Sequence, residues 1–442
     1  MVWPEAGRIL RRLRQRRGWE VPRFAVELEA QAKAIGRALP RQEHLVRMVY
    51  DWEAGTHRPR DYCVLFVLVY ATQHELATRT IERGSELDRL MGAFKAMGMS
   101  LDRRQFLLGS AALSVGAVGR RAVPAELDEV QRLVWVLDHP GSVDLRTAAY
   151  LRRAAADLLA RNEATSPATL LPLAMQHLAR TSLLREHAEP GRVRQELYVV
   201  EALSATLTGR LAWNASGQRD HTTAVQYYEQ AIDAAERVKE RWVEAFPRMF
   251  QGTLAMFGRN DLNSGLGLVE KAAALAGDGS SHVLAGWASA FAGEAYALRG
   301  RERASRLAME RATLHMTKAT AADPCWELFS VQQLGGFLGV NYLHLGDPRR
   351  AQPVLEATAS GLSGAKLNHK SVVLSDLAIA LVGQDRPEHA TAVLNEAIDL
   401  VEYLHDGGGT RRVFIAGRKL WPWRNEPFVQ AVHDRLLALA TL

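Results

Sequence analysis

Cysteine is nearly absent from this chain of 442 residues: Cys63 and Cys325 stand far apart, with no Cys-x-x-Cys and no Cys/His pair at metal-ligand spacing. A disulfide scaffold and a structural zinc are excluded, and a reducing cytoplasm is the expected compartment. Long apolar runs are also missing. No uninterrupted apolar stretch reaches about 18 residues, and Pro4 with a dense run of arginines stands where a signal peptide would carry its apolar core. Neither a membrane span nor an export leader is expected. Catalytic signatures are lacking as well: there is no Gly-x-Ser-x-Gly, no His-Glu-x-x-His and no dinucleotide-binding glycine fingerprint. The triple glycine Gly407-Gly408-Gly409 has no Lys-Ser/Thr behind it, and the 14 histidines are scattered. No enzyme, cofactor or metal is expected, with an all-α active site built from distant residues as the remaining enzymatic alternative.

What is present is charge, and it is unevenly placed. Residues 1–60 hold thirteen Lys and Arg (Arg8, Arg11, Arg12, Arg14, Arg16, Arg17, Arg23, Lys33, Arg37, Arg41, Arg47, Arg58, Arg60) against seven Asp and Glu. That excess of six equals the formal net charge of the whole chain, +6. The rest of the chain is neutral overall, so the positive field belongs to the N-terminal segment, where it would attract phosphates. An apolar content of 48% over this length is ample for more than one core.

Three short helices are expected in that segment. Gly7–Arg17 carries Ile9, Leu10 and Leu13 at helical spacing, and Val21–Ile35 carries Phe24, Val26, Leu28 and Ala32. A third runs from about Arg41 to Trp52 and turns Leu45, Met48 and Val49 inward. Gly55 suits the left-handed stop of that helix and Pro59 the first turn of the next, with Trp52 as a core plug and Glu53 placed to bond the following turn. A fourth helix, Arg60 to about Tyr70, is almost wholly apolar and should be buried or make a dimer contact. Taken alone, Tyr50 to Pro59 would equally suit a helix-turn-helix in any all-α protein.

Val49-Tyr50-Asp51-Trp52-Glu53-Ala54-Gly55 followed by Arg58-Pro59 makes Gly7 to about Leu76 resemble the Xre/Cro-type helix-turn-helix of bacterial regulators, in the version common in actinobacteria. The connection Ala34–Pro40 is longer than that family's compact pattern, and Asp51 stands where a basic residue is common. The resemblance implies that Arg41, Gln42, His44, Arg47 and Tyr50 face bases in the major groove of operator DNA while Arg58 and Arg60 face phosphates, in a homodimer.

Residues 77–125 read as a linker. Within it Leu101-Asp102-Arg103-Arg104-Gln105-Phe106 and an uncharged run to Gly119 imitate a twin-arginine export signal, yet a DNA-binding segment would precede it. A buried linker helix or docking strip is the expectation; a membrane or export role is the alternative.

Residues 126–442 alternate amphipathic helical stretches with short breaks, and no strand pattern competes. Gly339, Tyr342, Ala351 and Leu355 match the small-aromatic-small-bulky positions of a tetratricopeptide repeat. The same offsets recover Gly293 with Ser305, Thr253 with Gly265, Ala378 with Ala390 and, with three extra turn residues, Gly209 with Ala224. Small residues are needed where two helices cross closely, so the pattern has a packing cause. The expected fold is therefore all-α: an N-terminal helix-turn-helix domain (1–76), the linker (77–125), and an α-solenoid of tetratricopeptide-like helix pairs (126–442). The C-terminal segment with Trp421 and Trp423 should cover the solenoid's open end, and a last helix, Val429–Leu439, should cap it.

The first helix of each pair lines the concave face of such a solenoid. By these offsets Arg210, Trp213 and Asn214, then Phe250 and Phe257, Trp287 and Glu294, Gln333 and His344 look inward, with Asn341 beside them. Arg210, Trp213, Asn214, Gln333, Asn341 and His344 are the expected ligand contacts. Each also has an ordinary reading, as a solvated polar residue or a core aromatic. The architecture resembles the Rgg, PlcR and NprR group of peptide-sensing regulators. That resemblance implies a cytoplasmic transcriptional regulator whose repeats sense a peptide, small molecule or protein; the alternative is an interaction scaffold with a degenerate DNA-binding domain.

Overall fold

The computed structural model describes residues 3–34, 39–57, 66, 69–70, 89–90, 128–362, 364–405 and 407–440. Regular structure among the described residues is helical throughout, eighteen α-helices with no strand. None of these helices is long and apolar enough to cross a membrane. The chain divides after Val143 into two compact units, each with its own core.

In the N-terminal unit α1 (Trp3–Arg16), α2 (Val21–Ala34) and α3 (Gln42–Ala54) pack through one apolar stripe each. Ile9 and Leu10, Phe24 and Leu28, and Leu45, Val49 and Trp52 meet at the centre, all within 2% of complete burial. Gly7 is required there: a Cβ on it would lie 2.5 Å from the Trp52 carbonyl oxygen. Gly55 takes φ 80° as the left-handed stop of α3, its N–H donating to Trp52 O at 3.2 Å. Glu53 departs from expectation. Instead of bonding the next turn, its carboxylate accepts both from Arg14 Nε at 2.6 Å and from Arg14 Nη2 at 2.8 Å, clamping α3 to α1. Of the expected fourth helix only Phe66, Val69 and Tyr70 are described; they are helical and buried, Phe66 edge-on to Trp52 with centroids 5.2 Å apart. Arg58, Pro59, Arg60 and the twin-arginine-like Arg103-Arg104 lie outside the described residues. This unit also holds α4 (Glu129–Asp138), which a reciprocal capping box between Asp128 and Gln131 starts.

The C-terminal unit is an α-solenoid. Helices α5 (Leu145–Arg161) and α6 (Pro167–His187) lead into five pairs: α7 (Arg192–Ala215) with α8 (His221–Ala235), α9 (Arg241–Thr253) with α10 (Leu262–Gly277), α11 (His282–Leu298) with α12 (Glu302–Lys318), α13 (Val331–His344) with α14 (Pro348–Gly361), and α15 (Leu367–Val382) with α16 (Pro387–Leu404). Helices α17 (Gly407–Lys419) and α18 (Pro427–Ala440) follow.

One turn recurs in all five pairs. The residue that reverses the chain is left-handed each time: Gln218 at φ 63°, Asn260 at 55°, Gly300 at 67°, Gly346 at 81° and Asp385 at 62°. The helix cap follows one or two residues later, and at Asp220, Asp261 and Asp347 the carboxylate accepts the N3 amide proton. The small residues of the repeat pattern sit where two helices touch. A Cβ on Gly265 would fall 2.2 Å from Met256 Cγ and 2.8 Å from the Gly252 oxygen, and one on Gly339 2.4 Å from Leu355. At the C-terminal end the two tryptophans part company: Trp423 packs on the last core cluster, whereas Trp421 is 61% exposed and lies beside Arg424. Trp421 therefore does not seal the core as expected, because Arg424 offers its ring a cation–π partner outside it.

Candidate ligand cavity and candidate nucleic-acid interface

The solenoid closes on itself. Glu163, in the turn between α5 and α6, reaches the start of α15: its carbonyl accepts the Asn368 N–H at 2.9 Å and its carboxylate faces the His369 N–H at 3.3 Å. Helix α17 lies against the end of α7, where a Cβ on Gly407 would be 2.5 Å from the Asn214 carbonyl oxygen. Between these two closures lies a cavity of about 260 Å³, lined by the first helix of every pair together with α17.

Its walls combine aromatic rings with charged and polar side chains. Phe250 from α9, Phe291 from α11 and Phe337 from α13 line it, Phe291 and Phe337 edge to face at 4.8 Å. Phe257 joins them from Leu254–Gly258, where α9 widens into a π-helical turn with Arg259 N–H donating to Leu254 O at 3.0 Å. Such a turn adds one residue to the helix and re-aims the side chains on it. Arg210 lies 5.1 Å from the Phe250 ring centroid and 3.8 Å from Glu163. Arg412 pairs with Asp376, whose carboxyl is pushed up by burial and drawn back by that guanidinium. Burial lowers His369, against the opposing charge of Glu163.

Two charged groups on this wall lack a close mate. Glu294 is 9% exposed; the approach of His344 Nε2 at 3.7 Å is its single ion-pair contact among the described residues. Arg411, exposed to solvent, makes no hydrogen bond or ion pair among the described residues. Desolvation and the charge of Arg412 lower it, while Glu294 pulls it up without touching it. Further polar atoms are unmatched nearby. Trp213, which lines the cavity, has its ring N–H buried without a protein acceptor. Asn341, 2% exposed, has neither side-chain polar atom bonded and lies beside Gly293.

Of the six residues expected to contact a ligand, Arg210, Trp213 and Asn214 line the cavity. Gln333 is turned to the start of α13, where it and Ser330 form a reciprocal capping box. Asn341 and His344 on α13 and Trp287 on α11 lie outside the lining residues, and Trp287 stacks on Phe329 at 5.1 Å. Phe250, Phe257 and Glu294 do line it. Sequence reasoning missed Asp376, His369, Glu163, Arg411 and Arg412. Asp376 was reachable, since it precedes Ala378 by two residues as Phe291 and Phe337 precede Gly293 and Gly339.

In the N-terminal unit, the face of α3 turned away from the core carries Gln42, His44, Arg47 and Tyr50, with Arg41 at its start, all exposed; Tyr50 is 55% accessible. Arg8, Arg11, Arg12, Arg16 and Arg17 on and after α1 are exposed as well. Asp51 is half-buried, 3.9 Å from His57 Nδ1.

Among solved structures the chain is similar to a Rap protein complexed with competence and sporulation factor. The two are 14% identical, the match covers 90% of this chain and 98% of that one, and the TM-score is 0.43. No protein-family model and no curated protein matches the chain.

Proposed function

We propose that the protein is a DNA-binding transcriptional regulator whose solenoid senses a ligand in its central cavity. The observation that carries the first half is the outer face of α3: Arg41, Gln42, His44, Arg47 and Tyr50 are all exposed on the third helix of the segment, residues 1–60, whose excess of positive charge equals that of the whole chain. A helix so held, one face locked to α1 and α2 by Trp52 and Glu53, can enter a major groove without refolding, and its Arg, Gln and His side chains have the donors that base edges require. The localised charge supplies affinity for phosphates at any sequence. The cavity supports the sensing half. It is aromatic, carries unmatched polar groups, and is bounded by contacts between distant parts of the chain, so an occupant that favours one closure state over another shifts that equilibrium. In a homodimer such a shift would be read at DNA as a change in affinity, and operator DNA would change ligand affinity by the same factor.

The test is genome-wide occupancy followed by a salt titration on the strongest site. A regulator gives one consensus beside a few operons. Arg47→Ala then weakens binding there by about 1–3 kcal/mol and relaxes base preference. Diffuse occupancy, with Arg47→Ala indistinguishable from the parent, would instead favour an interaction scaffold.

A further inference from the structure

The cavity's chemistry narrows its ligand beyond the general sensing role, on which this inference rests. Three carboxylates and three guanidiniums stand on its wall, so their charges cancel. Five of the six already have a mate close by: Arg412 bonds Asp376, Arg210 Nη2 lies 3.8 Å from Glu163, and the His344 imidazole approaches Glu294 at 3.7 Å. The sixth, Arg411, opens to solvent, where water and salt screen it. A charged occupant would leave water for a site with no spare counter-charge, whereas an uncharged one keeps every pair intact.

The body of that occupant follows from the rings. Phe250, Phe257, Phe291 and Phe337 come from three successive pairs, and Phe257 and Phe291 are only half-buried where they line the cavity. The π-helical turn Leu254–Gly258 that places Phe257 is a distortion helices carry frequently at functional sites. Such rings suit an aromatic or apolar body. A cavity of about 150 Å³ holds a benzene ring, so the volume here, about 260 Å³, has room for a body of about ten non-hydrogen atoms.

A neutral polar handle stands on the same wall. Asn368, the second residue of α15, is 7% exposed and lines the cavity. Its backbone is in use, the N–H donating to Glu163 O at 2.9 Å and the carbonyl accepting from Ser371 Oγ at 2.8 Å. Its side-chain amide makes no hydrogen bond among the described residues, whereas the other asparagine of the wall, Asn214, accepts from Gln218 Nε2 at 3.4 Å. Helix capping does not require it, since α15 starts at Lys366 without a side-chain cap bond. A buried carboxamide without mates calls for one, and it offers an acceptor and a donor side by side. A cis amide held in a ring presents the complementary edge, N–H beside C=O.

We infer that the cavity binds an uncharged cyclic amide on an aromatic or apolar body, its N–H donating to Asn368 Oδ1 and its carbonyl accepting from Asn368 Nδ2.

Calorimetry on the full chain without DNA tests this with four probes of similar size: isoindolinone, a neutral lactam; phthalide, its lactone counterpart, in which a ring oxygen replaces the N–H; benzoate; and benzylammonium. The expected result is saturable one-site binding of isoindolinone, with both charged probes about tenfold weaker or more. Phthalide should also bind about tenfold more weakly, since an oxygen then faces Asn368 Oδ1 where a donor stood. In Asn368→Ala phthalide should bind as it does to the parent, which also shows the variant folded, and isoindolinone should fall to the same level. A residue that only shaped the wall would weaken both alike. That result, a gap between lactam and lactone that persists in Asn368→Ala, or no saturable heat from isoindolinone up to millimolar concentration would overturn the assignment. Benzoate or benzylammonium binding as tightly as isoindolinone would overturn it too, while leaving a sensing cavity in place. The regulator reading is judged separately by DNA occupancy, so either can fail while the other stands.

Discussion

Charge is taken out of water in both units, but to opposite ends. In the N-terminal unit Arg14 is 7% and Glu53 8% exposed, and every contact between them is used: two N–H donors meet two carboxylate oxygens, and a third, on Nη1, meets the Trp19 carbonyl at 2.5 Å. In the solenoid Glu294, 9% exposed, has His344 Nε2 no nearer than 3.7 Å, and the buried Asn341 keeps both amide atoms unbonded. The same physical cost is cancelled within the fold in the first case and left open in the second. A satisfied buried pair fixes how helices meet, whereas a polar group left unbonded in the interior costs stability and fixes nothing.

Breaking the satisfied pair should give the largest effect. Arg14→Met leaves the Glu53 carboxylate buried alone and should cost about 3–5 kcal/mol, seen as faster hydrogen exchange throughout α1–α3. Adding Glu53→Leu should restore most of that loss, since two apolar side chains of similar volume need no mates. If Arg14→Met exchanges like the parent, the clamp does not hold α3.

Next comes a satisfied but neutral group. His177 is buried, its Nε2–H donating to the Leu151 carbonyl at 3.0 Å, which leaves Nδ1 to accept from the Ser204 hydroxyl at 2.8 Å. Burial lowers it from 6.5 to about 4. Because the unfolded chain takes up the proton first, stability is complete above pH 6.5 and is lost as pH falls through the window down to 4. The loss should approach about 3 kcal/mol. Urea denaturation of the solenoid at pH 7 and at pH 4 measures it, and His177→Gln should flatten the dependence.

Smaller still is a purely steric change. Gly265→Ala must displace Met256 or the Gly252 backbone and should cost about 1–3 kcal/mol, read as a lower urea midpoint at unchanged slope. Asn341→Leu carries the opposite sign. It removes two unbonded polar atoms from the interior, so stability should rise by about 1 kcal/mol. A fall would mean that Asn341 has a partner in solution, and the contrast between closed and open polar groups would weaken at that position.

The solenoid was legible in sequence because its packing rests on residues that differ sharply from their surroundings. Gly209, Gly265 and Gly339 each sit where a Cβ would strike the paired helix, and a spacing of twelve residues from small to small carries that requirement along the chain. Arg210, Trp213 and Asn214 could be placed because they lie within five residues of Gly209 on α7, at offsets the other pairs repeat. Glu163 could not, because it lies in a turn before the repeats and reaches α15 through closure of the whole solenoid. Arg411 and Arg412 were hidden for a related reason: α17 follows the last repeat, so no offset assigns it a face. Gln333 shows the reverse case. Its spacing suits the concave side, but as the third residue of α13 it bonds Ser330, and a local capping requirement outweighs the helix-face pattern. Glu53 was misplaced because its partner, Arg14, is 39 residues away.

The closure at Glu163 also bears on how the solenoid folds. In an open repeat array each unit touches only its neighbours, so the end units fray and stability accumulates one interface at a time. Here a hydrogen bond spans 206 residues, from Glu163 to His369, and α17 returns to the end of α7. The terminal pairs have contacts on both sides, and the nearest-neighbour scheme loses the free ends from which unravelling would start. The loop entropy of joining distant segments slows formation of the last contacts, and once made they couple the first pair to the last. The C-terminal unit should then melt as one cooperative body, without the graded loss from its termini that linear repeats display.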